Sequence, residues 1–513
     1  MIARLNTFTI LGIEAHPVEV EVDISPGMPA FNIVGLPDNV VKESKERVRT
    51  AIKNSGFEFP LERITVNLAP AQLRKEGSGF DLPIALGILM ANGVLPCQRN
   101  GSPIYCAGEL ALDGRIKPVF GALSMSITAK EIGISDLILP LENAMEAALV
   151  QEVTVYPLQT FNETVLFLMG KKDIQPLQAN LNELTKISQC HTGDFAEVRG
   201  QEQAKRGMEI AAAGGHNILM VGPPGAGKTM LAQRLPSILP PMSFEEALET
   251  TKIYSVAGLT GRDKPLIFTR PFRAPHHSIS DAGLIGGGQI PKPGEVSLAH
   301  NGVLFLDEFP EFKRNIIDLL RQPMEDGKVT ISRATITLTY PAKFMLVAAM
   351  NPCPCGYLGS SQKPCTCTTT QVIRYQSKIS GPVLDRIDIH IDVPAVSYKE
   401  LSSHCKNMET SEEIRNRVVK ARQRQIDRYY GEPIACNAHL SPSLIEKYCP
   451  ITNQGHRLLK EAMERLNLSA RAYHRIIKVA RTIADLEDSE NISEDHLLES
   501  IQYRTLDRSY GLL

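Results

Sequence analysis

Short runs that alternate apolar and polar residues mark the first third of the chain and predict strands: "VEVEVDI" (18–24), "AFNIVGL" (30–36), "RITVNLA" (63–69) and "SDLILPL" (135–141). Between them, "DNVVKESKERVRTAIKNSG" (38–56) and "FDLPIALGILMANG" (80–93) space their apolar residues at the period of a helix. Residues 1–170 therefore read as one α+β domain. Residues 171–193 are polar with weak periodicity and read as a linker. At 194 the pattern changes. "DFAEVRGQEQAKRGMEIAAAGG" opens on Asp194, an expected helix N-cap, and stops at Gly214 and Gly215 before the strand "NILMV" (217–221). This α/β domain, 194–395, closes where Pro394 ends the apolar run "IDIHIDV". From 396 to 513, "SEEIRNRVVKARQRQIDRYYG", "HRLLKEAMERLNLSARAYHRIIKVARTIADLE" and "SEDHLLESIQYR" all carry helical spacing, and the region reads as an all-helical domain. The fold class is thus multidomain, α+β then α/β then helical.

Composition changes this picture little. With 513 residues, 43% of them hydrophobic, the chain can bury several cores. A formal net charge of -2 gives no global attraction to nucleic acid or acidic lipid, so any polyanion contact has to come from local patches or backbone dipoles. Glu14, His16 and Glu19 interrupt the apolar run a signal peptide would need, and nothing resembles a membrane span, so the expected location is the cytoplasm. In that reducing compartment Cys97, Cys106, Cys190, Cys405, Cys436 and Cys449, scattered singly, read as small core hydrophobes.

Three strand ends carry candidate chemistry. "GPPGAGKT" follows the strand "NILMV" and precedes a helix, which is the context a phosphate cradle requires. In it Gly222, Pro223, Pro224, Gly225, Ala226 and Gly227 form the turn, with Gly225 and Gly227 letting backbone N–H groups converge on phosphate oxygens, Lys228 neutralises the β- and γ-phosphates of ATP, and Thr229 ligates Mg²⁺. The run "GVLFLDE" (302–308) ends in Asp307, a second candidate for holding Mg²⁺, and Glu308, which would polarise the attacking water. "KFMLVAAMN" ends in Asn351, whose amide could orient that water. The plain alternatives are a Gly/Pro turn, a strand leaving the core, and a turn-forming Asn before Pro352.

Just beyond Asn351, "NPCPCGYLGSSQKPCTC" crowds Cys353, Cys355, Cys365 and Cys367 into one loop. Disulfides do not suit the compartment, and Cys-x-Cys pairs are too close to bridge without strain. Four thiolates can instead surround a tetrahedral Zn²⁺, which would supply the folding energy of a loop with no apolar core. Pendant thiols and an iron–sulfur cluster remain the alternatives.

"RPFRAPHHSISDAGLIGGGQIPKPGEVSLAHNGVLFLDEFPEF" (270–312) and "GPVLDRIDIHIDVP" (381–394) resemble the magnesium-chelatase-like AAA+ ATPases, and the whole chain is similar in order and motif to their bacterial competence branch. The resemblance implies a Lon-protease-like (ribosomal S5-like) first domain, an AAA+ P-loop domain and a C-terminal helical lid. It implies a homo-hexameric ring in which Arg386 of "LDRID" reaches the neighbouring active site as an arginine finger, with Arg374 a lesser candidate, and in which Arg471 is the sensor-2 arginine. It also implies a hairpin within "DGKVTISRATITLTYPAKFML" carrying Arg333 near its tip, and an insertion, "SISDAGLIGGGQIPKPGEVS", carrying Lys292, both toward DNA. The implied function is an ATP-driven DNA helicase and branch-migration motor. It would act on single-stranded and branched DNA with recombinase machinery, in natural transformation and homologous recombination. The alternative within the resemblance is a chelatase-type remodelling subunit without DNA activity.

"RKEGSGFDLPIALGIL" (74–89) and "GELALDGRIKPVFGALSMSITA" (108–129) resemble the proteolytic domain of Lon. Laid on that pattern, the nucleophile position falls at Phe80 or Asp81 rather than Ser78, and the lysine position at about Leu123. Neither half of a Ser-Lys dyad is present, so no protease is expected.

Overall fold

The computed structural model describes residues 2–96, 102–180, 193–261, 264–288, 291–333, 337–359, 363–396, 408–466 and 468–504. They group into two compact units, Met1–Ser188 with Phe244–Phe268, and Gln189–Ser243 with Thr269–Leu513.

In the first unit β1 (Ala3–Leu11), β2 (Glu14–Ser25), β3 (Ala30–Val34) and β4 (Arg63–Ala69) form a sheet in the order β1-β2-β4-β3. Val18, Val20 and Val22 are buried in strict alternation with Glu19 and Glu21, and Val20 and Val22 pair with Leu5 and Ala3 of β1. Asp38 caps the helix Asn39–Asn54 by accepting the Val41 N–H at 2.7 Å, and its face of Val41, Val48, Ala51 and Ile52 joins the core. The helix Asp81–Ala91 is buried on almost every side. Gly87 lets it approach the sheet, since a Cβ there would lie 2.6 Å from Val22 Cγ2.

The segment Phe244–Phe268, which the pattern reading places inside the ATPase domain, groups with the first unit. Its helix Phe244–Ala257 packs on the helix Ala122–Glu131, and Gly121 N–H donates to the Ser255 carbonyl at 3.2 Å. Ser255 also donates to the buried Glu146, whose pKa burial raises despite donors from Thr260, Asn143 and Ser255. Part of the linker is also tied to this unit, because Leu177 N–H donates to the Val155 carbonyl at 2.9 Å. Residues 181–192 lie outside the described residues.

The second unit is built on a fully parallel sheet of β5 (Ile218–Val221), β6 (Phe272–Arg273), β7 (Val303–Leu306), β8 (Met345–Met350) and β9 (Ile389–Asp392), ordered β6-β7-β8-β5-β9. Both faces are covered, which is why β5, β7 and β8 read as continuous apolar runs rather than alternations. Asp194 caps a short 3₁₀ turn, Phe195–Glu197, instead of the long helix expected from it. Gly200 and Gln201, at φ +64° and +61°, break the chain before the helix Glu202–Gly214 begins. The helical region contains Ser411–Arg428, Asn453–Leu466, Ala470–Leu486 and Glu494–Gln502. Ile414, Val418 and Ala421 of the first of these share a core with the sheet.

No helix of the described residues is long and apolar enough to cross a membrane. Cys106, Cys436 and Cys449 are buried as expected, while Cys97, Cys190 and Cys405 lie outside the described residues.

Candidate nucleotide site and its neighbours

Parallel order dictates where a ligand would sit. In an open α/β sheet ligands bind at the carboxyl ends of the strands, where neighbouring connections part to opposite sides. Here β5 leads into Gly222, β7 into Asp307 and β8 into Asn351, on three adjacent strands. Gly225 and Gly227 take φ of +77° and +89°, which only glycine adopts without strain. A Cβ on Gly222 would lie 2.1 Å from the Val393 carbonyl oxygen. The loop delivers the chain into the helix Lys228–Ile238.

Lys228 is nearly buried and folds back over the loop, donating from Nζ to the Gly222 carbonyl at 2.6 Å, the Pro223 carbonyl at 2.9 Å and Asn351 Oδ1 at 3.1 Å. Burial lowers its pKa, with Asp307 opposing the shift. Thr229 Oγ1 donates to Asp307 Oδ2 at 2.7 Å, so the two expected Mg²⁺ ligands are neighbours. Glu308 sits at φ +52°, a conformation that costs a non-glycine residue about 1–3 kcal/mol and occurs where a site over-determines it. Its carboxylate is exposed and lies 3.5 Å from His277 Nδ1. All the residues expected from the three strand ends are brought together. The donor set, a hydroxyl beside a carboxylate with a lysine across a glycine-rich turn, suits Mg²⁺ and a triphosphate.

Two neighbours escaped the sequence reading. Gln201 donates from Nε2 to the Ala226 carbonyl at 3.3 Å and to the Pro394 carbonyl at 2.5 Å, pinning the phosphate loop from the segment before the first helix. The glycine preceding it in "VRGQE" was the available signal. His277 faces Glu308 from "RAPHHS", where paired histidines beside a proline were the only hint.

The arginines fall differently. Arg386 is almost buried within its own chain, 2.5 Å from Glu325 Oε1 and donating to the Pro382 carbonyl at 2.5 Å, whereas Arg374 is exposed. Of the three arginines on the helix Ala470–Leu486, Arg471 is exposed, Arg475 pairs with Asp388 and Arg481 is buried against Asp485. Burial opposes the ionisation of Asp388, but Arg475, His216 at 3.4 Å and Lys478 outweigh it and hold its pKa far below the usual carboxylate range. A depressed pKa means the pair stabilises the fold above the unfolded-state value near pH 4 and is lost as pH falls through the folded value. Asp388→Asn, which leaves Arg475 with no charged partner, is expected to cost about 3 kcal/mol and to flatten the acid limb of a stability–pH profile. Urea unfolding of both chains from pH 3 to 7 checks this.

The hairpin forms as expected, with Lys328–Ser332 antiparallel to Thr337–Pro341, and Arg333 is exposed at its turn. Residues 334–336 lie outside the described residues. The insertion makes a small ribbon, Gly286–Gly287 with Lys292–Pro293, that packs on this hairpin. Tyr340 Oη donates to the Pro291 carbonyl at 2.6 Å, and a Cβ on Gly287 would lie 3.3 Å from an Arg333 guanidinium nitrogen. Arg333 and the exposed Lys292 therefore belong to one protrusion.

The four thiols converge: all lie within 4.8 Å of one another, with Cys353, Cys355 and Cys365 sulfurs 3.4–3.6 Å apart. Ligands about 2.3 Å from a tetrahedral Zn²⁺ stand about 3.8 Å from each other, so the set fits that ion. The backbone N–H groups of Cys355 and Cys367 aim at the sulfurs of Cys367 and Cys365.

In the first unit Ser78 Oγ donates to Glu109 and Lys75 Nζ to the Pro70 carbonyl, so neither is paired with the other. Asp81 is buried at the start of its helix; burial raises its pKa to about 6, while a two-pronged contact from Arg47 and the Leu110 N–H oppose the rise.

Comparison with known proteins gives the family. The family profile "Magnesium chelatase, subunit ChlI" matches residues 194–401, and related profiles, "Subunit ChlI of Mg-chelatase" and "Magnesium chelatase, subunit ChlI C-terminal", match 20–143 and 408–504. The chain is 45% identical over 509 residues to the uncharacterized protein YifB of Salmonella typhimurium, covering 99% of this chain and 98% of that one. It is also 45% identical over 505 residues to the competence protein ComM of Haemophilus influenzae, covering 97% and 96%. The chain belongs to the magnesium-chelatase-like YifB/ComM family. As a member of this AAA+ family it is a mixed α/β multidomain protein with a helical C-terminal region, and membership implies ATP and Mg²⁺ as ligands. Similarity to the magnesium-chelatase 38 kDa subunit of Cereibacter sphaeroides is partial, 26% over 174 residues, covering 31% of this family member and 52% of that subunit. Similarity to the Lon protease of Methanosphaera stadtmanae is 25% over 186 residues.

Proposed function

We propose that this YifB/ComM family member is the subunit of a homo-hexameric, ATP-driven DNA motor that separates strands and migrates branches. Such a motor would help incoming DNA integrate in natural transformation and homologous recombination. The observation that carries the reading is the protrusion formed by the hairpin and the insertion, where Arg333 lies against Gly287 beside Lys292, on the same unit as the nucleotide site. Six such protrusions in a ring would line a channel with cations able to follow a phosphate backbone. The competence protein among its relatives supports the same direction.

In this reading Lys228 binds the β- and γ-phosphates, and the loop N–H groups and the start of the following helix hold their oxygens. Mg²⁺ held by Thr229 and Asp307 would neutralise charge on the transferring phosphoryl group. Glu308 accepts a proton from the attacking water and Asn351 fixes that water's orientation, while Arg386 completes the site of the neighbouring subunit and Arg471 contacts the nucleotide from the lid. The four cysteines hold Zn²⁺. The first domain is a Lon-like platform without proteolysis, since Phe80, Asp81 and Leu123 occupy the positions a dyad would need and Asp81 is committed to Arg47.

The second reading, a chelatase-type remodelling subunit, rests on the partial chelatase match. ATP turnover with and without forked DNA separates the two. Arg333→Ala is expected to keep basal turnover and lose its stimulation by DNA. The slope of log affinity for single strands against log salt should fall by about 0.7 for each arginine that touches phosphate. An unchanged slope and full stimulation would remove the protrusion from the DNA path.

A further inference from the structure

The four-cysteine loop lies against the candidate nucleotide site. It leaves β8 at Asn351, the residue that accepts the Lys228 ammonium, and Cys353, two residues on, is fully buried. A tight turn follows, with Gly356 N–H donating to the Cys353 carbonyl at 2.9 Å. Gly356, at φ +83°, is pressed onto the phosphate loop: a Cβ there would lie 2.5 Å from Pro224 Cδ, 2.7 Å from Pro224 Cγ and 3.8 Å from Asn351 Cγ. The far end is fixed as well. Thr368, next to Cys367, caps the helix Thr369–Gln376, and Gln376 Nε2 at the end of that helix donates back to the Pro352 carbonyl at 3.1 Å. Between these anchors the described loop residues bury no apolar side chain besides Cys353, so little other than the convergence of the four sulfurs and the turn hydrogen bond is available to fix Gly356.

We propose that the four-thiolate Zn²⁺ site is a brace for the nucleotide pocket: metal binding presses Gly356 against Pro224 and beside Asn351, and thereby sets affinity for ATP. The proposal rests on the reading of the four cysteines as a zinc site and adds a role for it. Its output is the shape of the phosphate loop, so removing the metal acts on nucleotide affinity and leaves DNA affinity in the absence of nucleotide unchanged. Covalent chemistry is not involved; zinc binds as the thiols release their protons to solvent.

The test uses the full-length chain, its zinc content measured directly and its affinity for a fluorescent ATP analogue measured at fixed free Mg²⁺. Stripping zinc is expected to raise the Kd for the analogue about tenfold, and adding Zn²⁺ back to restore it. Gly356→Ala keeps all four thiols and is expected to retain zinc yet raise the Kd by a similar factor, because its methyl group has no room beside Pro224. Cys365→Ser combined with Cys367→Ser should lose zinc and match the stripped protein. A chain that binds zinc but whose Kd ignores both stripping and Gly356→Ala overturns the brace and leaves the metal site standing. A chain that neither carries nor takes up zinc overturns both. Loss of single-strand binding on stripping, with the Kd for the analogue unmoved, assigns the loop to the DNA face and also overturns the brace.

Discussion

Glu308→Gln is expected to bind ATP as well as the unaltered chain and to hydrolyse it about 10²–10⁴-fold more slowly, the usual contribution of a positioned general base. The reason lies in the backbone as much as in the side chain. At φ +52° Glu308 turns away from the strand that carries Asp307, leaving Asp307 paired with Thr229 while its own carboxylate stands exposed. Replacing it with an amide keeps the shape, removes the base and removes a negative charge near the triphosphate, so affinity holds while turnover fails. Lys228→Ala is the contrasting case. Its ammonium lies against the loop carbonyls and Asn351, and without it binding and hydrolysis fall together. Nucleotide titration followed by single-turnover hydrolysis separates the two patterns.

Arg386→Ala is expected to lower hydrolysis by about 10³–10⁵, the range measured for an arginine supplied to a γ-phosphate from outside its own site. Within its chain Arg386 is nearly buried against Glu325, so in the proposed ring it would have to exchange that carboxylate for a neighbour's phosphate. A mixing experiment decides between action across the boundary and action within the chain. Arg386→Ala and Glu308→Gln subunits are each expected to be nearly inactive alone. In an equal mixture about a quarter of the interfaces would pair an intact Glu308 with an intact Arg386, and a matching share of activity should return. No recovery on mixing means that Arg386 acts within its own chain, and the exposed Arg374 becomes the first candidate for the arginine that crosses the boundary.

These two predictions draw on different kinds of legibility. The phosphate loop, Asp307, Glu308 and Asn351 could be read from the chain because each is fixed by local grammar, a strand of continuous apolar residues followed by a residue type that strand ends present to a ligand. The convergence of the cysteine loop was legible for the same reason, its four thiols lying within fifteen residues. Glu325 and His277 were not, because nothing near them in sequence announces a partner in Arg386 or Glu308; their roles exist only after the sheet has ordered its strands. The same limit explains Phe244–Phe268. Nothing near it in sequence says that its Ser255 belongs beside Glu146 of the first unit, more than a hundred residues earlier. Asp194 shows the converse. Its capping chemistry was correctly read, yet Gly200 and Gln201 in left-handed conformations shortened what it caps to a single turn.

In the proposed function ATP hydrolysis by this family member moves DNA. The most direct measurement follows a labelled forked duplex and a mobile four-way junction over time, with ATP, without it, and with Glu308→Gln in place of the unaltered chain. Strand separation and branch movement are expected only when ATP is present and Glu308 is intact. ATP consumed at one rate with or without DNA, and no strand displaced, would contradict it and bring forward the remodelling subunit.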